Sequence, residues 1–333
     1  MQTEIKLKLK LIISSFAMLF IASAVIVCCA ATSALAQSAQ VFVSARNGVD
    51  AGNCAVAAPC RTVNYALTQV QEGGQALIVD SGDYDSSIEI TKTVTIAAAP
   101  GVAAVFSAAV TNGTIFSFNY GASLCTSAGE CKTLVLRNLI FDGQGVTQDA
   151  VRPSGIRLLV EDCAFTRFKL GVYANGPGLF QFKNCVFQSL GTGLYLAPNG
   201  SARPITQAVV EGCRFESLAS AGIDANTGPV GGNGLKVVVR DSLFDRATDV
   251  AVRSVASTGG SIQVDLERCE ITNSSVGIVS ASSGAVTRVS NSTIVGNSTG
   301  LSAALGGSLL TRGNNTVENN TTNGVFTGTF FAK

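Results

Sequence analysis

The chain has 333 residues, 47% of them apolar, with 23 basic and 22 acidic groups. That balance offers no electrostatic basis for binding nucleic acid or an anionic membrane surface. There is no histidine and no tryptophan, which excludes histidine-based acid–base catalysis and histidine-containing metal sites.

Residues 1–36 read as an export signal. Lys6, Lys8 and Lys10 form a basic start, Leu11 to Ala30 is apolar, and Ala34-Leu35-Ala36 is a small-x-small cleavage pattern before Gln37. Cys28 and Cys29 follow Val25-Ile26-Val27 and lack the small residue that lipid attachment needs. No later apolar run is long enough to span a bilayer. Cleavage leaves 20 basic and 21 acidic groups. An exported protein follows, secreted, periplasmic or at the cell surface, with no membrane span in the mature chain and no nucleic-acid partner.

Residues 37–75 read as an N-terminal cap. Thr62 is a candidate N-cap, and Val63, Ala66, Leu67 and Val70 fall on one face of a short amphipathic helix. Such a helix would cover the exposed end of a stacked structure. Coils begin near residue 76 and run to 333. Asp83 and Asp85, beside Gly82, read as turn residues.

From residue 134 a short phrase recurs at steps of 22 to 29 residues: LVLRNLIF, LLVEDCAF, FQFKNCVF, AVVEGCRF, VVVRDSLF, VDLERCEI and TRVSNSTI. Fixed-period similarity of this kind marks a solenoid. Apolar residues alternate inside each copy, so each copy is a strand. A second short strand follows in each coil, as in GVYA at 171–174, GLYL at 193–196 and GIDA at 222–225. One strand cannot bury its apolar face alone, but stacked copies can.

Over roughly 76–326 these coils resemble the right-handed parallel β-helix proteins of the pectate-lyase-like superfamily. The fold expected is all-β, a single right-handed solenoid with a short N-terminal capping helix. Parallel crossovers are right-handed as a rule. Phe141, Phe165, Phe187, Phe215 and Phe244 should stack inside. The position reading Asn138, Asp162, Asn184, Gly212, Asp241, Arg268 and Asn291 is a turn column and resembles the asparagine ladder of that family.

Eight cysteines follow the signal. Cys54 with Cys60, and Cys125 with Cys131, each flank a short loop, and export permits disulfides there. Cys163, Cys185 and Cys213 share one inward column, and Ser242 and Ser292 occupy it around Cys269. Buried free thiols acting as small apolar fillers are expected, with a Cys163–Cys185 disulfide as the alternative. A line of thiols without histidine does not make a zinc tetrahedron, so no metal is expected.

An outward column reads Arg137, Glu161, Lys183, Glu211, Arg240 and Glu267, alternating in sign at every step. It reads as a solvated ion-pair ladder. A second outward column, on the second strand of each coil, reads Arg152, Tyr173, Tyr195, Asp224 and Arg253, then Val279 and Ser302. Aromatic faces suit sugar rings, and arginine suits hydroxyls and carboxylates. These five are the candidate binding residues.

The resemblance implies that polysaccharide lies across one sheet and that, in lyases, an arginine abstracts the proton. Arg253 and Asp224 are the catalytic candidates on that basis. The absences weigh against an enzyme. Without histidine or tryptophan the chain lacks the hydrolase, epimerase and pectin-lyase motifs, and a calcium-dependent lyase needs more clustered acids than Asp224. The reading is an exported, non-enzymatic scaffold for acidic polysaccharide or another extracellular glycan. The alternative is a divergent polysaccharide lyase. No cofactor is expected, and calcium enters only with the lyase alternative.

Overall fold

The structure, a computed structural model, describes residues 37–84, 87–108, 114–118, 132–145, 148–198, 206–227, 234–257 and 259–331. The signal segment and Cys125–Cys131 therefore lie outside the described residues. Within them the chain winds as a right-handed parallel β-helix with three parallel sheets of twelve, nine and ten strands. The first strand of each coil builds the twelve-stranded sheet, for example Ile156–Glu161, Gly178–Lys183 and Thr206–Glu211. A tight turn leads to the ten-stranded sheet, and a second turn leads to the nine-stranded sheet.

The first turn follows the expected column. Asn138, Asp162, Asn184, Gly212, Asp241, Arg268 and Asn291 all have φ between 50° and 63°. Asn, Asp and Gly reach that region at little cost. Arg268 is the exception, and its guanidinium holds Asp241 at 2.6 and 2.8 Å. The second turn also carries left-handed residues, including Arg167, Ser189, Ser217, Arg246 and Asn273.

The interior is built of columns. Phe106, Phe141, Phe165, Phe187, Phe215 and Phe244 are at most 1% exposed. From Phe141 to Phe244 successive rings lie 4.7–4.9 Å apart and within 5° of parallel. Ile271 and Ile294 continue the column. The small residue near the start of these strands of the nine-stranded sheet makes room for the rings. A Cβ on Gly222 would come within 2.6 Å of both Phe244 and the Ala251 carbonyl. Ala251 takes the equivalent place where the next coil carries Ile271.

Cys163, Cys185, Cys213 and Cys269 are free and buried. They do more than fill space. The Cys185 N–H donates to Cys213 Sγ at 3.4 Å, Cys213 N–H to Ser242 Oγ at 3.2 Å, and Cys269 N–H to Ser292 Oγ at 3.1 Å. Each side chain donates in turn to the carbonyl two residues back, as Cys163 Sγ does to Glu161 at 3.3 Å and Ser242 Oγ to Arg240 at 2.7 Å. The column thus satisfies backbone groups that a buried turn leaves without partners.

At the N-terminal end the helix Val63–Gln69 buries Val63, Ala66 and Leu67. Thr62 caps it by accepting from the Tyr65 N–H at 3.1 Å. The Asp50 carboxylate accepts from Thr62 Oγ1 and from the Arg61 and Thr62 N–H groups, each at 2.9 Å. A Cys54–Cys60 disulfide closes the loop before the helix. Both its ends bond Phe42, in the strand Ser38–Val43. Asp83 is a strand residue of Gly82–Tyr84 rather than a turn residue, and accepts from the Ser107 N–H at 3.2 Å. Asp85 lies outside the described residues.

Two outcomes follow from this packing. Phe187→Ala removes a ring with rings at 4.9 and 4.8 Å on either side, and should cost about 3–5 kcal/mol in chemical denaturation. Burial pushes the Cys163 and Cys269 thiols up to about 12, and a thiolate is the reactive form. A thiol reagent should therefore leave these two residues unmodified in the folded protein and label them on unfolding, as peptide mapping would report.

Candidate functional site

The nine-stranded sheet brings the second outward column together in the expected order. Tyr173 pairs with Tyr195, Tyr195 with Asp224, and Asp224 with Arg253, on consecutive rungs. Arg152 stands one rung before Tyr173, since Val151 pairs with Val172. All five side chains therefore share one face, each a rung from the next. The strands that carry them are Asp149–Arg152, Leu170–Ala174, Thr192–Leu196, Ala221–Asn226 and Val250–Val255.

The tyrosine rings lie 5.2 Å apart with a tilt of 38°. The Arg152 guanidinium sits 5.1 Å from the Tyr173 ring centre, a cation–π arrangement. Both arginines of the column are already engaged. Arg152 donates to Asp149 at 2.5 and 2.9 Å. Arg253 donates to Asp224 at 3.2 Å and also to Asp249. Asp149 and Asp249 escaped the sequence reading. Asp149 lies three residues before Arg152, which a regular strand would put on the opposite face, and Asp249 lies four before Arg253, just ahead of the strand, so strand alternation alone predicts neither pair.

Asp224 is the unusual group. It is 9% exposed, and its Oδ1 has no hydrogen-bond partner among the described residues. Burial raises its pKa above the ordinary carboxylate range, against the lowering by Arg253. Burial, and then the Asp224 charge, also raise the Tyr195 phenol, which keeps its proton and can donate it to a ligand. The column thus offers two stacked aromatic faces, a phenol donor and a partly satisfied carboxylate.

Grooves are found on a different sheet. On the twelve-stranded sheet one of about 210 Å³ is lined by Leu159, Leu179, Gln181, Gln207 and Val209, with Arg157 at its edge. Another of about 250 Å³ lies near Arg240, Asp265, Arg288 and Arg312. The segments 197–207, 225–235 and 254–262, which follow strands of the nine-stranded sheet, lie partly outside the described residues. No helix among the described residues is long and apolar enough to cross a membrane.

This architecture defines a right-handed parallel β-helix repeat protein. The family model for a right-handed β-helix region matches residues 170–322. No curated protein matches the chain in sequence. Among solved structures it is similar to the pectate lyase Pel9A at 16% identity, over 89% of this chain and 81% of that one, with a TM-score of 0.47. It is similar to the PL6 family alginate lyase AlyGC at 14% identity, over 84% of this chain and 39% of that one, with a TM-score of 0.49. For the A-module of the Azotobacter vinelandii mannuronan C-5 epimerase AlgE4 the identity is 13%, the coverage 81% and 93%, and the TM-score 0.42.

The buried carboxylate gives a pH signature. Folding favours the protonated form of Asp224, so its contribution to stability is fully present below the unfolded carboxylate value. That contribution is lost as pH rises through the raised native value. Asp224→Asn removes this loss. Its melting temperature relative to the parent should rise between about pH 4 and pH 7, the span above the unfolded carboxylate value. A constant difference across that range would mean that Asp224 is not held against its charge.

Proposed function

We propose that this protein is an exported glycan-binding β-helix, and that the column Arg152, Tyr173, Tyr195, Asp224 and Arg253 is its binding strip. The observation that carries the reading is the tyrosine pair on adjacent rungs. It forms a continuous aromatic surface flanked by polar groups, the combination that suits a sugar chain. The partly unsatisfied Asp224 supports it, because such groups concentrate where function needs them.

The charge around the strip favours an uncharged glycan over the acidic polysaccharide that the resemblance implies. Asp149, Asp224 and Asp249 outnumber Arg152 and Arg253, and each arginine is already held by a carboxylate. An acidic sugar would have to displace one of them. The same pairing weighs against the lyase alternative, since Arg253 is held between two carboxylates rather than presented to a substrate proton.

Calorimetry with cellohexaose and with oligogalacturonate tests the reading. The neutral chain should bind in roughly the millimolar to micromolar range. Tyr173→Ala/Tyr195→Ala should weaken that binding at least tenfold, since two stacking contacts are each worth about 1 kcal/mol. Equal binding by parent and variant would remove the strip as a site. Appearance of unsaturated product from any acidic polysaccharide would favour the lyase instead.

A further inference from the structure

We propose that the outer face of the twelve-stranded sheet is a homodimer interface, on which a second copy of this chain lies antiparallel to the first. The observation is the order of charges in one column. Arg137, Glu161, Lys183, Glu211, Arg240 and Glu267 stand on consecutive rungs in unbroken parallel register. Read backwards, this column is its own charge complement.

Consider a two-fold axis lying between two such faces, directed along the strands and passing between Lys183 and Glu211. It reverses the order of rungs and leaves every column opposite itself. Lys183 then faces Glu211, Glu161 faces Arg240, and Arg137 faces Glu267. Symmetry repeats each pair, so six rungs meet six rungs with opposite charge throughout. A two-fold axis along the solenoid would instead set each charge on its own copy. The antiparallel arrangement is closed and self-complementary, as an isologous dimer requires.

The charges nearest the axis are also unspent. Arg137 and Glu161 close on each other at 2.5 Å. Glu267 accepts from Ser290 at 2.7 Å and from Asn291 at 2.9 Å. Among the described residues, Lys183, Glu211 and Arg240 form no ion pair and no side-chain hydrogen bond. The ladder expected from the sequence is therefore in register but largely open, and its open part is its centre.

The neighbouring column supplies apolar contact. The same axis sets half-buried Leu159 opposite Val238 and Gln181 opposite Val209, and the 210 Å³ groove lies there. The next column sets Arg157 opposite Lys236, a like-charge pair. Both are exposed at the margin, where salt screens them. Six rungs at about 4.8 Å and six strand residues at about 3.3 Å cover roughly 30 by 20 Å. That is about 600 Å² per partner, at the low end for specific interfaces. A weak dimer governed by charge is the consequence.

Sedimentation velocity on the purified protein tests this. The protein should dimerise at about 20 mM salt, and the dissociation constant should rise at least tenfold at about 500 mM, where screening is strong. Lys183→Glu and Glu211→Lys each place like charges across the axis, and each variant alone should be monomeric. Mixed one to one, they restore opposite charge on all six rungs and should form a heterodimer. Circular dichroism and thermal melting establish that both variants are folded. A monomeric parent at low salt, a dimer that neither variant weakens, or a mixture of folded variants that stays monomeric would each overturn the proposal.

Discussion

Parallel backbone hydrogen bonds hold each coil about 4.8 Å from the next, and the rest of this protein depends on that spacing. A residue in one coil meets its counterpart above and below, so every column is a repeated contact with its own kind. The phenylalanines stack face to face because the backbone holds them at that distance. The glycines Gly171, Gly193 and Gly222 in the nine-stranded sheet are small because the ring of the following coil occupies the space a Cβ would need. A volume error at one rung is felt by two neighbours, and close-packed interiors tolerate such errors poorly.

The same repetition governs the polar interior. The turn between the first two strands points the backbone N–H of Cys185, Cys213, Cys269 and Ser292 at a side chain of the next coil. The acceptor is Cys213 Sγ for Cys185, Ser242 Oγ for Cys213 and Ser292 Oγ for Cys269, and the column ends at Asn315, which accepts from the Ser292 N–H at 2.9 Å. Thiol, hydroxyl and amide replace one another because the requirement is a short side chain with an acceptor at one height. Reactivity of the thiol plays no part. A second amide set near the C-terminal end does the same work for the other turn, with Asn297 accepting from the Ser274 N–H and Asn320 from the Asn297 N–H, each at 2.9 Å.

Outside, the columns are free of packing and can carry recognition. The nine-stranded sheet bears aromatic faces beside paired charges, and the twelve-stranded sheet bears an alternating charge column beside a partly apolar one. These two surfaces belong to different sheets of the coil, so one could hold a sugar chain while the other meets a second copy. Asp224 costs stability at neutral pH through burial, and that cost is localised to the first surface.

Most of the fold was legible in the sequence. Alternation separated inward Phe187 from outward Lys183, and the residues from Asn138 to Asn291 announced their turn, because both patterns rest on local backbone geometry. The Thr62 cap and the Cys54–Cys60 loop were legible for the same reason. The second turn was less so, because Arg167 and Arg246 are not turn residues by type, and bonds between coils, such as Arg167 N–H to the Ser189 carbonyl at 3.2 Å, form only in the stacked structure. The order of the column from Arg152 to Arg253 could be read from spacing alone. Its chemistry could not, since spacing does not show that Asp149 and Asp249 close on the two arginines. The tertiary structure likewise decided which charges of the ladder close and which stay open. Periodicity sets the rung and face of a residue, but side-chain reach across rungs decides its partner.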